Sequence, residues 1–191
     1  MTAVSPPALS VVVPTWNGRE LLAQFLPGMV AEAERWSKAQ GKTCEIVVSD
    51  DGSRDGTEAW LAQALPQVHR VRSELNRGFA PAANAGVLAA AAPLVVLLNN
   101  DLSLAPGCLD VVSARFADPE LFGLTFQAWE LPGGEFATGG KLGRWRRGFW
   151  ETWRNFEQAG ETFLMVGGFC AFRREPFLQL GGFDPIFAPY Y

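Results

Sequence analysis

Apolar positions recur in two alternating patterns through the first hundred residues. LSVVV (9–13), CEIVVS (44–49), VHRVR (68–72) and LVVLL (94–98) are short runs rich in β-branched side chains. Such runs predict strands, and LVVLL, apolar on both faces, predicts a central parallel one. Residues 18–39, 55–65 and 78–92 carry helical spacing between them, and 106–116 follows as a further helix with Pro106 in its first turn. Pro27-Gly28 predicts a break or kink in the first helix. Asp55 predicts an N-cap for the second, with Glu58 as its capping-box partner.

Strand and helix alternating at these lengths imply right-handed βαβ units and a parallel sheet covered on both sides. Ligands of such sheets bind outside the carboxyl ends of the strands. The segments PTWNG (14–18), DDGSRDG (50–56), ELNRGF (74–79) and NNDL (99–102) should therefore converge. Periodicity is weaker in the second half. Residues 129–160 hold four of the seven tryptophans and the basic run KLGRWRR (141–147), which predicts hairpins or a loop with a short helix. FCAFR (169–173) reads as a strand, and 175–180 as one or two helical turns ending at Gly181-Gly182.

Composition narrows the function classes. The 191 residues are 48% hydrophobic and 19% charged, which predicts one globular domain with its own core. Net charge is −4, with 8 basic and 9 acidic residues in 1–100 and 8 and 11 in 101–191, so no basic surplus points to nucleic acid. Cys44, Cys108 and Cys170 are odd in number and far apart. They argue against a disulfide framework or a thiolate zinc site and for a reducing compartment. His69, the only histidine, rules out a multi-histidine metal site and reads as a satisfied structural residue. MTAVSPPALSVVV lacks a basic leader region, and the longest apolar stretch, 85–98, is interrupted by Pro93. It falls short of the roughly 18 to 20 residues a membrane span needs. A cytoplasmic protein is expected, peripheral at the inner membrane face if 141–156 touches lipid.

The convergent segments are polar and acidic: Asn17, Asp50, Asp51, Asn76, Asn84, Asn99, Asn100 and Asp101. GxxxxGK[ST] is missing, and so is GxGxxG after the first strand, which disfavours P-loop and standard dinucleotide sites. Carboxylates at strand ends can accept hydrogen bonds from a nucleobase or from sugar hydroxyls. They can also hold Mg²⁺ or Mn²⁺ against a diphosphate.

VVVPTWNG, VVSDDGSRDGT, NRGFAPAANAG, LLNNDLSLAPG and GGFDPIFAPYY, in that order, resemble the family 2 glycosyltransferases of GT-A fold, from about Leu9 to Tyr191. LNND in place of DxD is similar to bacterial rhamnosyltransferase-type enzymes of polysaccharide assembly. The resemblance implies an α/β, Rossmann-like, mostly parallel sheet flanked by helices. Residues 1–128 would form the nucleotide-sugar half and 129–191 the acceptor-side half of one domain. Pro14, Thr15, Trp16 and Asn17 would line the nucleotide pocket, and Trp16 would contact the base. Asp50 would accept from the N3–H of uracil or thymine, or else cap its turn, since DDGSRDG is good turn chemistry. Asp51 reads as a loop organiser. Gly78 and Phe79 would open a helix toward the phosphates. Asn84 would touch the donor or tie its helix to a neighbouring loop; Ala83 stands where relatives often have an arginine. Asn99 and Asn100 would flank the donor, and Asp101 would hold the divalent cation. Gly168 and Asp184 belong to the acceptor side, with Asp184 organising its loop.

The resemblance also implies an inverting transferase using a UDP- or dTDP-sugar and a glycan or lipid-linked acceptor. The base expected of the family follows the tyrosines, and the sequence ends at Tyr191. No catalytic residue is therefore assigned, and a truncated chain is expected to bind donor but transfer poorly. A non-catalytic nucleotide-sugar-binding module is the alternative. A nucleotidyltransferase is disfavoured, because PTWNGRELL offers only Arg19 for a phosphate loop. The segment 141–156 has three readings: an acceptor lid, a peripheral membrane patch, or a solvated loop with core tryptophans.

Overall fold

The computed structural model describes residues 6–130, 132–154 and 160–187. Residues 155–156 of the basic aromatic segment and 188–191 of GGFDPIFAPYY lie outside the described residues. In chain order the elements are β1 (Leu9–Thr15), α1 (Arg19–Gln40), β2 (Cys44–Asp50), α2 (Thr57–Ala64), β3 (His69–Arg72), α3 (Phe79–Ala89), β4 (Leu94–Leu98) and α4 (Cys108–Arg115). Then come β5 (Gly123–Thr125), β6 (Ala128–Glu130), β7 (Glu135–Thr138), β8 (Lys141–Arg146), β9 (Phe149–Arg154), β10 (Phe169–Arg173), α5 (Arg174–Gln179) and a 3₁₀ turn, Pro185–Phe187.

One six-stranded sheet runs β3-β2-β1-β4-β10-β5. β3, β2, β1 and β4 are mutually parallel, and β10 is antiparallel to both its neighbours. Alternation along β1 divides the core. Leu9, Val11 and Val13 pack with Leu22, Leu26 and Met29 of α1 and Leu109 and Val112 of α4. Val12 faces the other side, with Ala83 and Val87 of α3 and Phe172 of β10. Both faces are thus covered, as the continuous apolar runs require.

Several local expectations are corrected. α1 runs unbroken through Pro27. The proline is exposed, and buried side chains on both sides of it, from Leu22 to Trp36, hold the helix to the sheet. Packing along 22 residues outweighs one missing ladder bond. α2 starts at Thr57 with Gly56 in the left-handed region at the N-cap. Asp55 still receives the Thr57 N–H at 3.1 Å, but Glu58 pairs with Arg70 at 3.2 Å, so no capping box closes. α4 starts at Cys108, leaving Pro106 in the turn before it. His69 opens β3 as an exposed residue, not a packed one.

The segment 129–154 folds as hairpins: β6 pairs β7, and β8 pairs β9, each as a separate two-stranded sheet. Its tryptophans do not enter the core. Trp129, Trp145, Trp150 and Trp153 are 43–67% exposed. Trp36, by contrast, is buried, and its indole N–H donates to Ser113 at 3.0 Å.

Candidate functional site

The parallel strands end along one edge, and hydrogen bonds join the loops that follow them. Thr15, Asp50 and Arg72 lie in register across β1, β2 and β3. The Asp51 N–H donates to the Thr15 carbonyl at 2.8 Å, and the Ser73 N–H to the Asp50 carbonyl at 2.9 Å. Asn17, in the left-handed region at φ 47°, clasps the next loop with its backbone and side chain. Its N–H donates to Ser53 Oγ, and its Oδ1 accepts the Arg54 N–H, both at 2.8 Å.

Asp50 and Asp51 sit beneath this seam, each 2% exposed. Asp50 Oδ1 accepts the Ser53 N–H at 2.8 Å, so the turn-capping role exists. Its Oδ2 has no hydrogen bond among the described residues; the Arg72 guanidinium lies 3.7 Å away. Arg72 in turn donates to the Ser53 carbonyl at 2.8 Å. Asp51 Oδ2 accepts the N–H groups of Arg77 and Gly78 at 2.8 and 2.7 Å, fixing the loop that leads into α3. Its Oδ1 is buried without a hydrogen bond. A buried carboxylate oxygen without a hydrogen bond is costly, and Asp50 and Asp51 each carry one, the Asp50 oxygen having the Arg72 guanidinium as its ionic partner.

A cleft of about 250 Å³ lies between the loops after β1, β2 and β3. Trp16, Asn17, Arg54, Leu75 and Asn76 are among its walls. Trp16 is 55% exposed, so an indole face is open to a planar ligand. Arg54 and Leu75 fall within the segments expected to converge, whereas Arg72 does not. The signal for Arg72 is its register opposite Asp50, which appears only once β2 and β3 are paired.

The other expected residues divide into two groups. Pro14 is buried within β1 and does not line the cleft. Thr15 Oγ1 accepts from the Asn100 amide at 2.8 Å, binding the β1 end to the β4 end. Asn99 donates its N–H to the Gly168 carbonyl at 2.6 Å. Gly168, at φ +91°, lies so close to the Asn99 amide that an added Cβ would collide with its oxygen. Asp101 is exposed and makes no hydrogen bond or ion pair among the described residues.

Phe79 and Asn84 face the other way. Phe79 meets the Phe183 ring at 5.9 Å. Asn84 exchanges two hydrogen bonds with the Phe183 backbone: its amide donates to the carbonyl at 2.8 Å, and its Oδ1 accepts the N–H at 2.9 Å. Asp184 Oδ1 accepts the Ile186 N–H at 2.9 Å and starts the last turn. α3 is therefore a strut, held by Asp51 at one end and gripping the 182–184 loop with Asn84. Replacing Asn84 by alanine is expected to cost about 1–2 kcal/mol and to leave the Phe183 amide exchanging with solvent. Hydrogen exchange on the parent and the variant checks this; unchanged protection at Phe183 would refute the strut.

Burial pushes the thiols of Cys44 and Cys170 up to about 12 and that of Cys108 up to about 11, so none is a thiolate nucleophile near neutrality. Among the described residues no three His, Cys, Asp or Glu side chains cluster as a metal cage. The free oxygen of Asp101 suits a hard cation that takes its remaining ligands from phosphate and water, as Mg²⁺ commonly does.

The arrangement has known counterparts. The model of glycosyl transferase family 2 matches residues 10–181. Succinoglycan biosynthesis protein ExoU of Rhizobium meliloti is 32% identical over 113 residues, covering 57% of this chain and 30% of that protein. The GalNAc(5)-diNAcBac-PP-undecaprenol beta-1,3-glucosyltransferase of Campylobacter jejuni is 29% identical over 113 residues, covering 57% and 34%. The chain thus spans about a third of the length of these relatives. Among solved structures, the Pyrobaculum calidifontis mannosyltransferase PcManGT, in complex with GDP-Man and Mn²⁺, superposes with a TM-score of 0.66 at 23% identity. That match covers 96% of this chain and 50% of that one. S. aureus TarS with UDP-GlcNAc superposes at 0.64 with 18% identity, covering 91% and 47%. These likenesses establish the GT-A fold. With 10–181 matched end to end, the chain belongs to glycosyl transferase family 2.

Proposed function

We propose that the cleft binds the nucleotide of a UDP- or dTDP-sugar. The complete protein would transfer that sugar, with inversion, to a glycan or lipid-linked acceptor of polysaccharide synthesis. One observation carries the donor reading: the Asp50 carboxylate, buried at the end of β2 two residues before the cleft-lining Gly52, has one oxygen committed to its turn and one without a hydrogen bond. Uracil and thymine present a single N3–H flanked by carbonyls. The free Oδ2 would accept that proton, and Arg72, 3.7 Å away, would donate to a neighbouring carbonyl. Arg72 covers this oxygen, but its side chain is 46% exposed and can swing aside. Cytosine offers an acceptor at N3 and would meet the carboxylate unfavourably.

Trp16 would stack on the base, and Asn17 and Asn76 would border the ribose. The diphosphate would run toward Asn100 and Asp101 at the β4 end. A divalent cation bound at Asp101 would neutralise charge on the departing diphosphate. Asn99, held against Gly168, would fix the turn that separates donor from acceptor. PcManGT and TarS are solved with GDP-Man and UDP-GlcNAc, and the Campylobacter jejuni relative is named for an undecaprenol-linked acceptor, which supports the same classes here.

Calorimetry with UDP and CDP in Mn²⁺ tests the reading. UDP is expected to bind at least tenfold more tightly than CDP, and Asp50→Asn to remove that preference. Equal affinity for the two nucleotides in the parent would overturn the assignment of Asp50.

A further inference from the structure

The β8–β9 hairpin stands outside the main sheet and outside the core. At its base Phe163 N–H donates to the Lys141 carbonyl at 2.6 Å and Lys141 N–H to Thr162 Oγ1 at 3.1 Å. Its far end is a tight turn with Arg147 at φ +51° and Gly148 at φ +81°, the positive-φ pair that two-residue hairpin turns require. Phe149 is 75% exposed and Trp145 67%. Trp145 meets Trp150 at 6.1 Å, and Trp150 rests on Phe163 at 4.2 Å. On the opposite face Arg144 lies 5.6 Å over the Trp153 ring. A two-stranded hairpin is marginal by itself, and one that turns aromatic rings outward on both faces is built to bury them elsewhere.

Charge identifies the partner. Residues 141–154 hold five basic side chains and one acid, a net +4, while the rest of the chain is −8. The single acid, Glu151, is shared between Arg144 at 2.9 Å and Arg146 at 3.8 Å. Arg147, at the tip, has no ion pair among the described residues. A neutral glycan would use the rings but not the cations. An interface that is apolar below and anionic above uses both: indole rings settle at the headgroup level, and arginine stems lie along them with the guanidinium toward phosphate.

We propose that the β8–β9 hairpin docks on an anionic phospholipid bilayer, with Trp145 and Phe149 entering the interface and Arg146 and Arg147 meeting lipid phosphates. Residues 160–168 lead from the hairpin base to the Gly168 turn beside Asn99. Docking would therefore hold the donor cleft beside the membrane surface. The partner is inferred from the hairpin alone and does not depend on what the cleft binds.

Sedimentation of the full chain with phosphatidylcholine vesicles, with and without phosphatidylglycerol, tests it. Binding is expected only with phosphatidylglycerol and is expected to weaken as salt rises. Arg146→Glu with Arg147→Glu is expected to bind at least about twenty-five-fold more weakly, at about a factor of five for each of the two lost positive charges. Trp145→Ser with Phe149→Ser keeps the charge and is expected to lose binding as well. Melting temperature and UDP affinity, measured on the same samples, should match the parent, which separates failure of this surface from failure of the cleft reading. No binding to phosphatidylglycerol vesicles at low salt overturns the proposal. So does retention by either variant, or a parent self-association that these variants abolish while vesicles have no effect.

Discussion

Asp101→Asn is expected to bind UDP equally well with and without Mn²⁺, and to transfer sugar at least a hundredfold more slowly than the parent. The physical ground is the division of labour at the β4 end. Asn100 is committed to Thr15, and Asn99 is pressed against Gly168. Neither amide carries charge, so Asp101 holds the only anionic oxygen of LLNND. Asparagine keeps its size and removes the charge, and electrostatic stabilisation of a leaving group is commonly worth two to three orders of magnitude. Stability should stay within about 0.5 kcal/mol of the parent, because the side chain is exposed and unpaired. One carboxylate makes a weak cation site by itself, so Mn²⁺ and UDP should each raise the affinity for the other by the same factor. Calorimetry measures that coupling in both proteins. An equal Mn²⁺ effect on UDP binding in parent and variant would remove Asp101 from the metal role.

Much of the sheet was legible because its central strands are apolar on both faces. CEIVVS and LVVLL leave little room for another assignment, and their β-branched residues separate them from helix. The converging loops were legible from topology, since parallel strands end together. Legibility failed where a residue's role depends on a distant partner. Nothing local in VHRVR marks Arg72; its meaning comes from lying opposite Asp50. Pro27 reads as a helix breaker until the buried residues on both sides of it are weighed. KLGRWRRGFWETWR alternates aromatic and charged residues, and that pattern fits a core strand and an exposed hairpin equally well. Which one forms depends on whether a neighbouring sheet edge is free to take it.

Glu32 shows the same limit, and its replacement by alanine is expected to cost about 3 kcal/mol of stability. The side chain is 5% exposed in the middle of α1. Its Oε1 accepts the Gly107 N–H at 3.0 Å and the Leu109 N–H at 3.4 Å, capping α4 from 75 residues away in the chain. Arg35 donates to the same carboxylate at 2.7 and 3.0 Å and continues to Asp110, which also receives Gln40 at 2.9 Å. The Arg35 hydrogen bonds do most to hold the Glu32 carboxyl below the usual glutamate range; burial opposes them, and the Leu109 and Gly107 N–H groups assist. Alanine would leave two helix-end N–H groups without that acceptor and remove one of the ties between α4 and α1. Glu32→Gln keeps an acceptor and should lose about half as much. Because the folded carboxyl titrates below the unfolded one, its contribution is complete above about pH 4.3 and disappears as pH falls through the folded value. The urea midpoint of the parent should therefore exceed that of Glu32→Gln at pH 7, and the gap should close in acid. A gap of the same size at pH 7 and pH 3 would show that shape, not charge, is what Glu32 contributes.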